Sequence, residues 1–519
     1  MNDKPATWAE LLRRGALPGQ ADPRPALLAA ALCALGLAGA LVWAALHRGP
    51  WYDEFFTWFV TRPDRPFIAA LCGSWLADNH PPLFNALAWA GAHLAGTLEQ
   101  LRLLNLAALG AALAGGWVLV RRTPQWWTLA ALLLVALAAN ETLLRSGAEL
   151  RSYFFSLCAG AVVALALAVG WLEGELAGRG QRTVLWAVLL AGFNVHILTS
   201  VILGALVLPF VLAAWLARRR ALLRQLLVPA IAGGTLFLAV SLIQLPRWQS
   251  NTASFWIQGG LDAAWRAIEY AVLRAGLANM LVLAAALGGA ALLARQALTG
   301  RRLPPALQAM LLLAAGITLA AALLIALHLL RPVVTERFLA ALVPSVALGM
   351  ALGADAALRR LPVRAGTALL MGACALSLWA LAGNARHTVQ RNSWEGSAAR
   401  IGALVRACPD SPVHVDPAYW NAFTVALPPA DNRLVFGQAH ALMARRHGFT
   451  LEAPSSRRIS AICPTLFWAE HDTRREWDEA AILAHLRAGG FAVERIWQSR
   501  IGDGWIASNR PLDGGAATR

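Results

Sequence analysis

Trp51-Tyr52-Asp53-Glu54-Phe55-Phe56 sets two adjacent carboxylates among aromatic rings, just after the apolar run 26–47. That run, about 22 residues, is long enough to cross the hydrocarbon core of a bilayer. Trp, Tyr and Phe suit the headgroup layer at the end of such a span. Acidic groups there need a reason. Taken alone, Asp53 and Glu54 read as solvated loop charges. Two further stretches change that reading: Asp78-Asn79-His80-Pro81-Pro82 in the same loop, and Arg151-Ser152-Tyr153 two spans on. Ionisable residues that return to one face of a membrane have the pattern of a site.

Working outward, the whole chain has membrane character. Its 519 residues are 58% hydrophobic and 14% charged, with a mean hydropathy of +0.53. This composition belongs to a polytopic membrane protein. The formal net charge of +16 does not imply nucleic acid. The arginines fall in short clusters between apolar runs, the positive-inside pattern. Six cysteines show no metal-ligand spacing. Walker, CxxC, HExxH and GxGxxG patterns are absent, so zinc, nucleotide and dinucleotide chemistry have no support.

Residues 1–25 read as a cytoplasmic leader, followed by a retained first span at 26–47. Within the first outer loop, short apolar pieces over 54–96 are broken by Pro63 and Pro66 and read as interfacial helices, the last near 82–96. Further spans are expected near 101–120, 124–140 and 153–171. Residues 183–217 hold two spans with a tight turn near Phe193-Asn194-Val195-His196. The remaining spans fall near 225–245, 270–294, 305–330, 337–358 and 365–383. Eleven crossings place the Arg clusters near 121, 218, 301 and 359 on the same side as the leader. The expected fold is thus a transmembrane domain over 26–384 and, on the opposite side, a small α/β domain over 385–519.

In that last domain, 394–407 and 477–487 have helical spacing, the second ending at Gly489-Gly490. Strands are expected at 413–415, 434–436 and 464–468, with a hairpin of 491–499 and 505–508 around Gly502-Asp503-Gly504. Cys408 and Cys463 can pair there in an oxidising compartment; the other state is two buried thiols.

The outer face offers carboxylates at Asp53 and Glu54, imidazoles at His80 and His196, and guanidinium groups at Arg145, Arg151, Arg331 and Arg337. Carboxylates can deprotonate an acceptor. Arginines grip phosphate with paired hydrogen bonds. A base and a phosphate clamp on one membrane face suit a lipid-linked phosphate. Neighbouring helical residues diverge by about 100°, so one carboxylate can face a cavity while the other caps. Asp53 is the first choice for the cavity. Glu336, between Arg331 and Arg337, can neutralise one of them.

The order of these features resembles the C-type superfamily of integral-membrane glycosyltransferases that use polyprenyl-phosphate sugars. Within it the chain is similar to the branch of bacterial protein O-mannosyltransferases and the lipid A aminoarabinose transferase. The carriers are Asp53-Glu54, His80-Pro81-Pro82-Leu83-Phe84, Glu99 with Arg102, Arg151-Ser152-Tyr153, His196, and Arg337-Phe338 with Pro344. Phe338 stands where that branch usually has Tyr. The match covers most of 26–385, and its specificity lies in order and spacing.

The resemblance implies inverting transfer of a sugar from a polyprenyl-monophosphate carrier to an acceptor hydroxyl, at the outer face of the bacterial inner membrane. Asp53 would be the base, with Glu54 beside it. His80, Arg151, Tyr153, His196, Arg331 and Arg337 would hold donor phosphate and sugar. The partners would be the donor, a lipid, glycan or protein acceptor, and the bilayer. No cofactor or metal is required, although an acidic pair can hold a divalent ion in distant relatives. A lipid-linked-sugar transporter or flippase is the competing reading. It would favour internal repeats and midplane charges, whereas these charges gather at one face. A non-catalytic receptor or assembly subunit would leave Asp53 and His80 unexplained. A diphosphate-dependent ligase would not need the early acidic pair.

Overall fold

The computed structural model describes residues 23–251, 257–300, 303–390, 393–415, 435–470, 478–502 and 504–512. Most of the leader and the positions Trp256, Arg301, Arg302, Leu434, Trp477 and Asp503 lie outside the described residues. Two compact units emerge. One comprises 1–45, 75–87 and 102–386; the other comprises 46–74, 88–101 and 387–519.

The first unit is a helical bundle. Among the described residues, eight helices are long and apolar enough to cross a membrane, and a ninth counts if Pro124–Ala138 and Glu141–Gly147, bent by 74°, form one span. All eleven expected segments are helical. Two of them, Arg179–Phe193 and Val343–Leu358, have only 15 and 16 residues. The helix Tyr153–Glu173 is the centre, with 83% of its apolar window buried against 22% for Arg220–Pro246 and Pro305–Leu330. Its neighbours include Leu104–Val120, Arg179–Phe193, Ile197–Leu216 and Val343–Leu358. A predominantly apolar helix with no polar face is what a bundle centre requires. The helices Met280–Thr299 and Val343–Leu358 approach backbone to backbone. A Cβ at Gly289 or Gly353 would collide with the opposite main chain, the small-residue contact of membrane helices.

One boundary differs from expectation. The span near 270–294 is two helices, Leu261–Leu277 and Met280–Thr299. Asn279 separates them, its side-chain oxygen accepting from Leu281 N and Val282 N at 3.1 Å each. That is an N-cap. Asp262, Arg266, Glu269 and Arg274 give the preceding helix a polar face, which the apolar count across 270–280 concealed.

The second unit is built on a four-stranded sheet. In order its strands are β1 (Val413–Val415), β2 (Leu466–Ala469), β4 (Gly504–Ser508) and β3 (Trp497–Ile501). β1 and β2 are parallel; β2–β4 and β3–β4 are antiparallel. Phe467, Ile482, Leu486, Phe491, Ile496 and Trp505 form its core. Helices Ser393–Ala407 and Glu479–Ala488 agree with the sequence reading, and Gly490 takes φ +86° after the second. The expected strand 434–436 is instead the start of the helix Val435–Arg446. Ala439, His440, Met443 and Ala444 are buried there at helical spacing, which outweighs the strand preference of a short apolar run. The hairpin forms, but its first strand begins at Trp497. Cys408 and Cys463 are joined by a disulfide.

Segments of the first loop belong to this second unit. The helix Tyr52–Val60 packs on Val435–Arg446. Phe55, fully buried, lies 4.8 Å ring to ring from Trp394. Arg446 bridges Glu99 at 2.9 Å and Glu395 at 3.2 Å.

Candidate functional site

Within the second unit, the acidic pair opens the helix Tyr52–Val60. Trp51 is extended at the N-cap, and the buried Glu54 carboxylate accepts from its backbone N at 3.2 Å. This is the reach-back contact of a capping box. Both carboxylates sit in the first turn, where the helix dipole favours negative charge. Asp53 is partly exposed, and its carbonyl accepts from the Thr57 hydroxyl at 3.3 Å. Glu54 takes the capping role, and Asp53, its neighbour on the helix, leaves in another direction.

Within the bundle, His80, Arg151, Tyr153 and His196 come together. Asn105 positions the turn before Arg151 by donating to the carbonyls of Gly147 and Glu149, at 2.8 and 2.9 Å. The buried Arg151 guanidinium donates to His80 Nε2 at 3.0 Å and lies 5.8 Å from the centre of the Tyr153 ring. The His80 and His196 rings are 4.7 Å apart. His196 lies 5.7 Å from Tyr153 and 5.2 Å from Phe338. Phe338 lies 5.5 Å from Tyr153. The ring that departs from the usual Tyr is thus a packing member of the group.

Hydrogen bonds assign the tautomers. Arginine only donates, so His80 Nε2 carries a lone pair and Nδ1 the proton. His196 is the N-cap of Ile197–Leu216, its Nδ1 accepting from Leu198 N at 3.2 Å. Its proton is therefore on Nε2. His80 Nδ1 and His196 Nε2 are both buried with no hydrogen-bond partner among the described residues. Burial, the His196 ring and Arg151 hold His80 well below the ordinary histidine pKa. Burial and Arg151 push His196 down to about 3. The group therefore offers one fixed positive charge and two neutral N–H donors. That is chemistry able to hold an oxyanion.

Arg337 and Phe338 share the 3-10 turn Glu336–Leu339. Arg337 borders a small charged hollow with Glu141, Arg145, Glu149 and Arg274. Glu336 lies 3.7 Å from Arg145, a partner other than the two arginines that flank it in sequence. Arg331 caps Pro305–Leu330 and donates to the Gln249 carbonyl at 2.8 Å, tying two helix ends together.

Sequence reading passed over Gln244. Its Nε2 donates to the carbonyls of Trp75, Asp78 and His80 at 3.1, 3.1 and 2.9 Å. The available signal was a lone amide near the end of an apolar span, which matched no motif.

Two crystal structures share this fold. One is ArnT from Cupriavidus metallidurans in the apo state, with a TM-score of 0.52 and 13% identity, covering 94% of this chain and 99% of that one. The other is ArnT from the same organism bound to undecaprenyl phosphate, with a TM-score of 0.50, 14% identity and the same coverage. ArnT is a lipid A aminoarabinose transferase with the C-type glycosyltransferase fold. At this identity the likeness is one of fold, and it is the fold that the motif order implied. The chain matches no protein-family model and no curated protein.

Proposed function

We propose that this chain is an inverting glycosyltransferase that moves a sugar from a polyprenyl-monophosphate carrier to an acceptor hydroxyl. The observation that carries the reading is the group of Arg151, His80 and His196, buried donors around one fixed positive charge. The shared fold supports it, since one ArnT structure is bound to undecaprenyl phosphate.

In this mechanism Asp53 takes the proton of the acceptor hydroxyl. The acceptor oxygen bonds to the anomeric carbon from the face opposite the leaving group. The bond from that carbon to the phosphate oxygen breaks, and its electron pair leaves with the polyprenyl phosphate. Arg151 and Arg337 stabilise the charge gathering on the phosphate, with Arg331 a further contributor; fixed charges are most effective where water is excluded. His80, His196 and Tyr153 hydrogen-bond phosphate or sugar. Arginine does the phosphate work, and no step is routed through a metal. The reaction takes place at the outer face of the bacterial inner membrane, with the N-terminus cytoplasmic and the α/β unit periplasmic. The Cys408–Cys463 disulfide fits an oxidising compartment.

The test is transfer by purified protein in lipid, from a panel of radiolabelled polyprenyl-phosphate sugars to envelope extract, wild type beside Asp53→Asn. Label reaching an acceptor with wild type alone supports the reading. If label instead stays lipid-linked and moves to the opposite leaflet of sealed vesicles, the protein is a flippase.

A further inference from the structure

Gln244 is fully buried in the helix Arg220–Asn251, two residues before Pro246. A buried amide in a membrane helix needs partners, because each unsatisfied polar group in hydrocarbon is costly. The Gln244 nitrogen finds them in an unusual way, while Oε1 is buried with no hydrogen-bond partner among the described residues. That single nitrogen shares two hydrogens among the carbonyls of Trp75, Asp78 and His80, all within 3.1 Å. The amide orientation is unambiguous. Flipping it would put its oxygen against three carbonyl oxygens, with no donor between them.

The segment it holds has little regular structure of its own. The chain leaves a π-helical turn at Trp75, and the next helix begins at Leu83. The segment's local bonds include Asp78 N to Trp75 O at 3.3 Å, Asn79 N to the Asp78 carboxylate at 2.6 Å, and Asn85 Nδ2 to the same carboxylate at 3.4 Å. Pro81 and Pro82 lack N–H groups and donate nothing to the far end, where the Pro82 carbonyl accepts from Ala86 N at 2.9 Å. His80 hangs at the end of this turn, and its ring must meet two fixed groups at once. Arg151 approaches Nε2 at 3.0 Å, and the His196 ring lies at 4.7 Å. The shortest of the three Gln244 contacts, 2.9 Å, is to the carbonyl of His80 itself.

We propose that Gln244 is a positioning residue of the donor site: by clamping three main-chain carbonyls it sets where the His80 imidazole stands against Arg151 and His196. This rests on the reading of His80 as a donor-binding residue. The inference concerns a residue 164 positions from His80 in sequence. Its role comes only from the amide geometry.

The clamp and its consequence are tested separately on the full chain in lipid. Gln244→Met keeps the length of the side chain and removes both donors. Hydrogen exchange over 76–80 should then accelerate about tenfold, the loss of one net hydrogen bond of ordinary strength. Unchanged exchange overturns the clamp whether or not the protein transfers sugar. The consequence is read by a double-mutant cycle in transfer kinetics with a polyprenyl-phosphate sugar. Gln244→Met alone should lower kcat/KM for the donor about tenfold, and should add almost nothing in a His80→Ala background. Additive losses would show that Gln244 does not act through His80, and would overturn the positioning role. Should Gln244→Met fail to accumulate, Gln244→Leu is read in the same way, since it too has no donor. If the wild type transfers no sugar, the functional reading falls, while exchange still decides the clamp.

Discussion

Arg151 donates to Nε2 of His80 across 3.0 Å, although the two residues are 71 positions apart. This contact assigns the His80 tautomer, aims a neutral N–H elsewhere, and places a fixed charge beside two imidazoles. We expect Arg151→Lys to lower donor kcat/KM about 10- to 100-fold, because a lysine point charge lacks the planar fork and a charged hydrogen bond is worth roughly 1.5–3 kcal/mol. Steady-state kinetics with the donor varied would show it. Arg337→Ala should likewise impair donor use more than acceptor use; equal effects on both would mark Arg337 as structural.

The two histidines give stability a pH dependence. Both pKa values lie below the ordinary 6.5 in the folded protein, His196 at about 3. Above 6.5 both states are neutral, and these groups contribute no slope. As pH falls below 6.5 the unfolded chain takes up protons that the folded chain refuses, so stability drops by roughly 1.4 kcal/mol per unit per histidine. The melting temperature of wild type should fall between pH 7.5 and 5.5. His196→Asn, which keeps a good N-cap, should fall less. Identical falls in both proteins would contradict the assignment.

The carboxylates of the first turn should separate cleanly. Asp53→Asn is expected to cut transfer about 10²–10⁴-fold, the usual worth of a general base, with only the small loss of stability that follows from removing one first-turn charge. Glu54→Ala removes the contact to Trp51 N and should cost about 1 kcal/mol of stability, as for other cap losses. Near-normal turnover by Asp53→Asn would remove it as the base.

The acidic helix owes its seat in the second unit to packing. Phe55 lies on Trp394, which also lies 4.7 Å from His440. Trp394→Ala should cost about 3–5 kcal/mol, as other buried Trp truncations do, and should expose 52–60 to proteolysis. Trp394→Phe should restore most of the protection. Equal cleavage in wild type and Trp394→Ala would mean that the helix is held by other contacts.

Thiol labelling tests the crosslink. Before reduction, exposed Cys72 should label while Cys408 and Cys463 do not. Replacing both with Ser should cost about 2–4 kcal/mol. Label on Cys408 and Cys463 without reduction would reject the bond.

Membrane class, the apolar segments and the order of the chemical motifs were legible in the sequence alone, because they depend on local run length and spacing. The capping role of Glu54 was half-legible: adjacency on a helix requires two directions without saying which residue takes which. Where apolar content was ambiguous, as at 434–436 and 270–280, packing partners and Asn279 decided the element. Only the tertiary structure could join His80 to Arg151, bring Phe338 against His196, and turn Gln244 into a clamp. Contacts between distant positions arise from helix packing, and no single segment records them. The sequence by itself determined that the chain crosses a membrane and carries acids, imidazoles and arginines in a telling order. Tertiary structure decided which of them touch, since a hydrogen bond needs its two atoms within about 3 Å.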